Sequence, residues 1–479
     1  MADWLADQVF YEIFPDRFAI GSGGDVRAKR SHLPADASLR RWNQRPAEPP
    51  HGRDWFGGDL AGIVEHLDHV TSLGATALYL TPVFTAASNH RYDAIDFRSV
   101  DPALGGDGAL VALLDACRAR GLRVVLDAVL NHVSDRHPWV RAGTGLLQRD
   151  GIVQRWRGFG HMPELDLRDP FVRGELIEGD DALLGRWVAR GAAGWRLDVA
   201  ADLEPPFVRD ITRAVKHRAP DACVIAEVMS FPAGWMGRDG DADGVMNYYA
   251  RRALLDWIAD PRATSPAAVA RAVTDVIDAC GLPATLRSWM MLASHDTPRA
   301  LDACGDAARA RVATTVQFTL PGAPVVYYGE EVGLRGAHDP ANRAPMPWSR
   351  SRWDGATLAH HRALCALRRA SPALRRGAFL DLTGRTGEGV LAYLRYTEDP
   401  RESVLVVAHT GDAPRVLNLH LPHGPLRDGV RFVDRLGAPP HPDVYLEAGR
   451  VRVTLGPCEA RVFGVDADYI ANYRFYDKR

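Results

Sequence analysis

Short apolar runs alternate with helical patterns along residues 1–376. QVFYEIF (8–14) reads as a buried strand, and in DLAGIVEHLDHVTSLG (59–74) Leu60, Ile63, Val64, Leu67 and Val70 recur at helical spacing. ALYLTPV (77–83) is the next strand, followed by the helical GALVALLDACRARG (108–121), whose last glycine suits a helix C-cap. RVVLDAVLNH (123–132) is the third strand. Further strand-like runs are GWRLDVA (194–200), CVIAEV (223–228), GVMNYY (244–249), SWMMLASHD (288–296) and APVVYYG (323–329). Eight strands with helices between most of them predict a (β/α)8 TIM barrel rather than a doubly wound open sheet.

Two stretches depart from that rhythm. Residues 133–172 are rich in Arg, Gly, Trp and Pro and lack helical periodicity, which predicts a loop domain inserted after strand 3. Trp139, Trp156, Phe159 and Met162 argue that this insertion is ordered rather than a disordered surface loop. From residue 377 to 479 the runs become short and alternating, as in GVLAYLRYT, SVLVVAHT and GRVRVTLG, split by Gly, Pro and Asp turns. They predict a C-terminal all-β sandwich domain. Residues 1–132 and 173–376 are then the barrel.

Three of the strand-like runs carry an acid at or near their C-terminal end: Asp198, Glu227 and Asp296. In a parallel α/β barrel that end is where the βα loops build a site. Burying an unpaired carboxylate costs several kcal/mol, so three gathered acids point to use. Two carboxyl groups flanking a glycosidic bond are the minimal equipment for sugar hydrolysis. Arg196 lies two residues before Asp198, so alternation points both side chains the same way, and a guanidinium there lowers the carboxyl pKa as a nucleophile requires. Glu227 has no cation within two positions, and an apolar setting raises a carboxyl pKa as a general acid requires. His132 and His295 flank the set as neutral donors to sugar hydroxyls.

Composition adds mainly exclusions. With 58 basic and 60 acidic residues and no block of five like charges, neither nucleic acid nor anionic membrane is an expected partner. The six cysteines contain no CxxC pair and read as small buried residues of a reducing compartment. The N-terminus lacks a basic region followed by a long apolar core, and no run of 18 apolar residues occurs. A soluble cytoplasmic protein is the expectation.

DAVLNH (127–132), GWRLDVAAD (194–202), AEV around Glu227 and SHDTPR (294–299) resemble the four sequence regions of the α-amylase family, glycoside hydrolase family 13. HRYDAIDF (90–97), MPELD (162–166) and YYGEEVGL with DPANRAPMPW (327–348) match in the same order. The resemblance implies a retaining mechanism in which Asp198 is the nucleophile, Glu227 the acid/base and Asp296 the third acid that grips the ring hydroxyls. Retention puts the first two carboxyl groups about 5–5.5 Å apart. Tyr92 then matches the aromatic platform, His90, His132, Arg196 and His295 the other residues around the sugar, and Asp339 and Arg343 binders of the next sugar.

Within the family, GWRLDVA, Ser294 and GVMNYY look most like the neopullulanase, cyclomaltodextrinase and maltogenic amylase group. That implies an α-glucan oligosaccharide substrate cleaved at α-1,4 bonds, with transglycosylation as a side reaction. The chain begins directly at the barrel, so the dimer built by that group's N-terminal β domain is not expected. Met229 and Ser230 follow the acid/base where the group often has Trp and His. Ala201 and Asp202 stand where many α-amylases have Lys-His. The chemistry requires no cofactor; Asn131 and Asp166 resemble two ligands of a structural calcium, which wants six to eight oxygens. The GSGGDV loop (21–26) lacks the density of Asn and Asp of another calcium loop in the group. A glucan transferase and a catalytically inactive scaffold are the rival readings.

Overall fold

A computed structural model describes residues 1–22, 24–47, 52–238, 241–385, 389–437 and 440–468. Gly23 of the GSGGDV loop and residues 469–479 of the expected C-terminal domain lie outside that set. Eight parallel strands close into a barrel: β1 (Phe10–Ile13), β2 (Ala77–Leu80), β3 (Arg123–Ala128), β4 (Gly194–Leu197), β5 (Cys223–Val228), β6 (Gly244–Asn247), β7 (Trp289–Met291) and β8 (Ala323–Tyr327). Each pairs with its neighbours in sequence, and β1 closes the ring on β8 through Phe10 and Val325. All eight predicted runs therefore form the barrel, but several strands stop short of the run. β3 ends at Ala128, so Val129–His132 have already left the sheet.

Strand alternation sorts the barrel interior by depth. Phe10, Ala77, Tyr79, Val125, Ile225, Met246, Trp289 and Val325 pack as one apolar cluster inside it. Their partners one pleat further on include Glu12, Asp127, Arg196 and Glu227, all buried. The strands thus carry their apolar residues low and their charged residues at the C-terminal rim. The alternate positions, such as Tyr11, Ile13, Leu126 and Leu197, belong to the larger cluster under the helices.

The insertion after β3 holds a short helix (Pro138–Ala142) and a two-stranded hairpin (148–149 with 152–153). It returns to the barrel rim through bridges of His132 with Glu164 and Leu146 with Leu165. A second ribbon, Phe84–Ala86 with Ala94–Val100, was not expected; it carries the loop of His90 and Tyr92.

At the C-terminal end, β9 (Ala378–Asp381), β10 (Val390–Tyr396), β11 (Val404–His409), β12 (Arg415–His420), β13 (Arg431–Asp434), β14 (Val444–Glu447), β15 (Arg450–Leu455) and β16 (Glu459–Val465) form one antiparallel sheet in the order 9-10-11-16-13-14-15-12. Residues from both halves, including Leu394, Leu405, Leu417, Val453 and Phe463, share one apolar cluster, so the sheet curls over its own core. Buried Arg395 of β10 donates to the carbonyls of Thr319 and Gly377, tying this sheet to the barrel's last helices. No helix among the described residues is long and apolar enough to cross a membrane.

Candidate active site

Asp198, Glu227 and Asp296 line a single open cavity of about 780 Å³ at the C-terminal rim of the barrel. His90, Tyr92, His132, Asp339 and Arg343 line the same cavity, and Arg196 sits beneath it, fully buried. His295 is also fully buried, beside Asp296 of the cavity wall, so all ten residues singled out in the sequence meet in one place.

Arg196 is the hub. Its Nη1 donates to Asp127 Oδ1 at 2.8 Å and to Asp198 Oδ1 at 2.9 Å, while Nη2 lies 2.9 Å from Glu227 Oε2. This corrects the expectation that Glu227 has no cation: the neighbour comes from the adjacent strand, which pairs Arg196 with Ile225. The expectation that Arg196 holds Asp198 in the ordinary carboxylate range is also corrected. Burial, with the charges of Glu227, Asp127 and Asp296 nearby, outweighs the guanidinium and pushes the Asp198 carboxyl well up. Burial likewise raises Glu227 against the pull of Arg196. Two carboxyls in contact with one guanidinium titrate as a coupled pair, and burial raises both. One protonated and one ionised carboxyl is what a two-step displacement at a sugar carbon needs.

Local backbone fixes their approach. Val199, directly after Asp198, sits in the left-handed region at φ 39° and ψ 47°, a costly place for a β-branched residue at ~1–3 kcal/mol. Its amide donates to Glu227 Oε2 at 2.7 Å, so the strained turn links the two acids directly.

Asp296 is held differently. His295 Nε2 lies 3.0 Å from Asp296 Oδ2, and Arg343 Nη2 donates to Oδ1 at 3.0 Å. Burial works against ionisation, but these two cations outweigh it and keep Asp296 below the usual carboxylate range. His295 corrects a further expectation, since it is not neutral. Burial lowers its pKa, yet Asp296 on one nitrogen and Glu12 Oε1 at 2.6 Å on the other raise it to about 10. His132 and His90 are neutral, pushed down by burial, His132 to about 4 and His90 with help from Arg343. The buried Nε2 of His132 has no partner among the described residues, and its ring stacks on Trp156 of the insertion at 4.8 Å. Half-buried Tyr92 stacks on His295 at 5.4 Å and bonds through its hydroxyl to Asp127 and His295. Arg343 reaches toward Asp339 at 3.5 Å.

Glu12, Asp127 and Trp156 were missed, as was Tyr79, whose hydroxyl donates to Asp127 Oδ2 at 2.7 Å. Glu12 is an acid inside the apolar FYEIF run, the same signal that singled out the other three. Asp127 lies within DAVLNH, across the ladder from Arg196. Nothing in the sequence points Trp156 at His132.

Asn131 and Asp166, the two residues that resemble calcium ligands, supply only part of a site. Leu165 donates its amide to the carbonyl of Asn131, which brings Asn131 beside Asp166, but Asp166 Oδ1 already accepts the Arg168 amide. Two side-chain oxygens fall short of six to eight. Among the described residues no group of three or more His, Cys, Asp or Glu is placed to hold a metal ion.

The raised pair sets a pH prediction. Activity is lost in acid when both Asp198 and Glu227 are protonated and in base when both are ionised. Because both are raised, the acid limb of kcat/KM falls above the ordinary carboxyl range of about 4. A pH profile on maltotriose checks it; an acid limb at or below that range contradicts the raised pair.

The alpha amylase catalytic-domain family matches residues 12–145 and 156–366. A cyclomaltodextrinase of a Bacillus species is 35% identical over 86% of this chain and 74% of its own length. Neopullulanase 2 of Thermoactinomyces vulgaris is 30% identical over 96% and 78%. The solved structure of a cyclic α-maltosyl-(1→6)-maltose hydrolase from Arthrobacter globiformis superposes with a TM-score of 0.81 at 34% identity, covering 96% of this chain and 99% of that one. With its rim of carboxyl groups and these relatives, the chain belongs to the α-amylase family, glycoside hydrolase family 13, and is a glycosidase acting on α-glucans.

Proposed function

We propose that the protein hydrolyses α-1,4 bonds of short α-glucans with retention of configuration, small cyclic glucans among them. Glu227 gives its proton to the glycosidic oxygen as the C1–O bond breaks, and the Asp198 carboxylate forms a bond to C1. Glu227, now ionised, takes a proton from water; the water oxygen attacks C1 and Asp198 leaves. Asp296, ionised by His295 and Arg343, accepts from ring hydroxyls. Neutral His90 and His132 donate to the sugar, Tyr92 presents its ring, and Asp339 and Arg343 hold the next unit. No step passes through calcium.

The observation that carries this reading is Arg196 in contact with both Asp198 and Glu227 under the cavity. The cavity has the volume of a site for one small ligand, which favours an oligosaccharide over a polymer. The Arthrobacter globiformis hydrolase, whose name gives a cyclic maltosyl-maltose as its substrate, matches over nearly the full length of both chains, and this supports a small ring as substrate. A cytoplasmic site of action belongs to the same proposal: all six cysteines are free, and a Bacillus subtilis relative at 32% identity is an intracellular maltogenic amylase.

A panel of cyclic maltosyl-maltose, β-cyclodextrin, maltotriose, pullulan and soluble starch, read by chromatography, tests it. Small rings and maltotriose are expected to turn over at least tenfold faster per kcat/KM than starch. Starch as the best substrate, or products longer than maltotriose as the main outcome, overturns the reading.

A further inference from the structure

A second cleft, of about 560 Å³, opens beside the active site and shares none of its lining residues. One wall is the segment Trp42–Pro46; the other runs through Arg335 and Gly336 to Pro347, with Arg352 at its edge. The two cavities lie on opposite faces of one loop. Arg343 turns toward Asp296 and the active site, while its neighbours Ala341 and Ala344 line the second cleft.

The charge of this cleft is one-sided. Arg45, Arg335 and Arg352 face a single acid, Asp302. Arg335 spends its charge on Asp302 Oδ1 at 3.3 Å, and Asp302 Oδ2 is taken by the Gly336 amide at 2.6 Å. The exposed Arg45 and Arg352 side chains have no ion pair or hydrogen bond among the described residues. Gln44 accepts the Arg41 amide on Oε1, so its remaining side-chain group is a donor. The half-buried Trp42 is fixed by its Nε1 bond to the Met346 carbonyl at 2.9 Å. The cleft therefore offers donors and, among the described residues, two arginines without a counter-charge, beside an indole and proline rings.

We infer that this cleft binds a phosphorylated sugar, at a site separate from the one that cleaves glucans. A phosphate monoester carries about −1.5 to −2 at neutral pH, matching the two guanidiniums that have no partner among the described residues, and their planar forks suit its oxygens. A sugar ring then packs against Trp42 and the prolines, as aromatic faces do with apolar ring edges. A neutral glucan carries no charge to set against Arg45 and Arg352.

Titration calorimetry on the full chain tests the inference with glucose 6-phosphate, glucose and inorganic phosphate as separate probes at constant ionic strength. Glucose 6-phosphate is expected to bind at least tenfold more tightly than either other probe. The Arg45→Gln, Arg352→Gln double variant is expected to lose that affinity at least tenfold while cleaving maltotriose like the parent. Arg45→Glu, a single surface change, serves as a second variant with the same expected loss. Three results overturn the inference: no binding of glucose 6-phosphate, equal binding by both variants, or inorganic phosphate binding as tightly as the sugar phosphate.

Discussion

Asp198→Asn lowers kcat on maltotriose by about four orders of magnitude or more, while the protein still folds. The magnitude is that expected when a covalent nucleophile is removed and the binding site stays in place. Asparagine keeps the shape and can accept from Arg196 Nη1 as Asp198 Oδ1 does at 2.9 Å, but it forms no stable ester with C1. The stability side has a definite sign. The folded protein holds the Asp198 proton more tightly than the unfolded chain does, because burial and the neighbouring carboxylates disfavour its charge. Above the ordinary carboxyl pKa, its ionisation therefore costs folding free energy. A neutral amide removes that cost, so the melting temperature at pH 7 stays equal or rises. Kinetics together with calorimetry decide the matter: retained turnover, or a large drop in stability, contradicts the assignment.

Arg196→Met is the most damaging change to the fold. The guanidinium is fully buried and meets Asp127, Asp198 and Glu227. Removing it leaves buried carboxyls with no counter-charge, a loss of about 3–5 kcal/mol by the measure of broken buried ion pairs. The loss is largest at neutral pH and shrinks in acid, where protons replace the missing cation. Arg196→Lys restores charge but cannot reach three acids from one point, so it rescues only part of the stability and little activity. Denaturation at pH 7 and pH 5 measures both effects. A loss under about 1 kcal/mol, or one independent of pH, contradicts the role of Arg196 as the hub of the cluster.

Much of this architecture was legible in the chain because strands announce themselves by short apolar runs. The eight runs became the eight barrel strands, and the alternating C-terminal runs became an antiparallel sheet. The acids at the ends of those runs converged because a barrel gathers its rim. Charge states were less legible. They depend on neighbours across the ladder, as Arg196 is set beside Glu227, and on distant strands, as Glu12 of β1 is set against His295 283 positions away. Position along one strand gives orientation, whereas ionisation follows from all the groups that surround a side chain. The insertion was legible only as an ordered exception: its tryptophans marked it, but the stacking of Trp156 on His132 needed the folded chain.

Asp198 is expected to form a covalent bond to the sugar. An α-maltosyl fluoride carrying a second fluorine at C5 traps that bond, because the leaving fluoride speeds bond formation while the ring fluorine slows both steps through an electron-poor transition state. Peptide mass spectrometry after inactivation is expected to find the maltosyl label on Asp198, and the first product from maltotriose is expected to be the α-anomer by NMR. A label on Glu227 or Asp296, or a β-anomer released with no labelled peptide, would rule out Asp198 as the nucleophile.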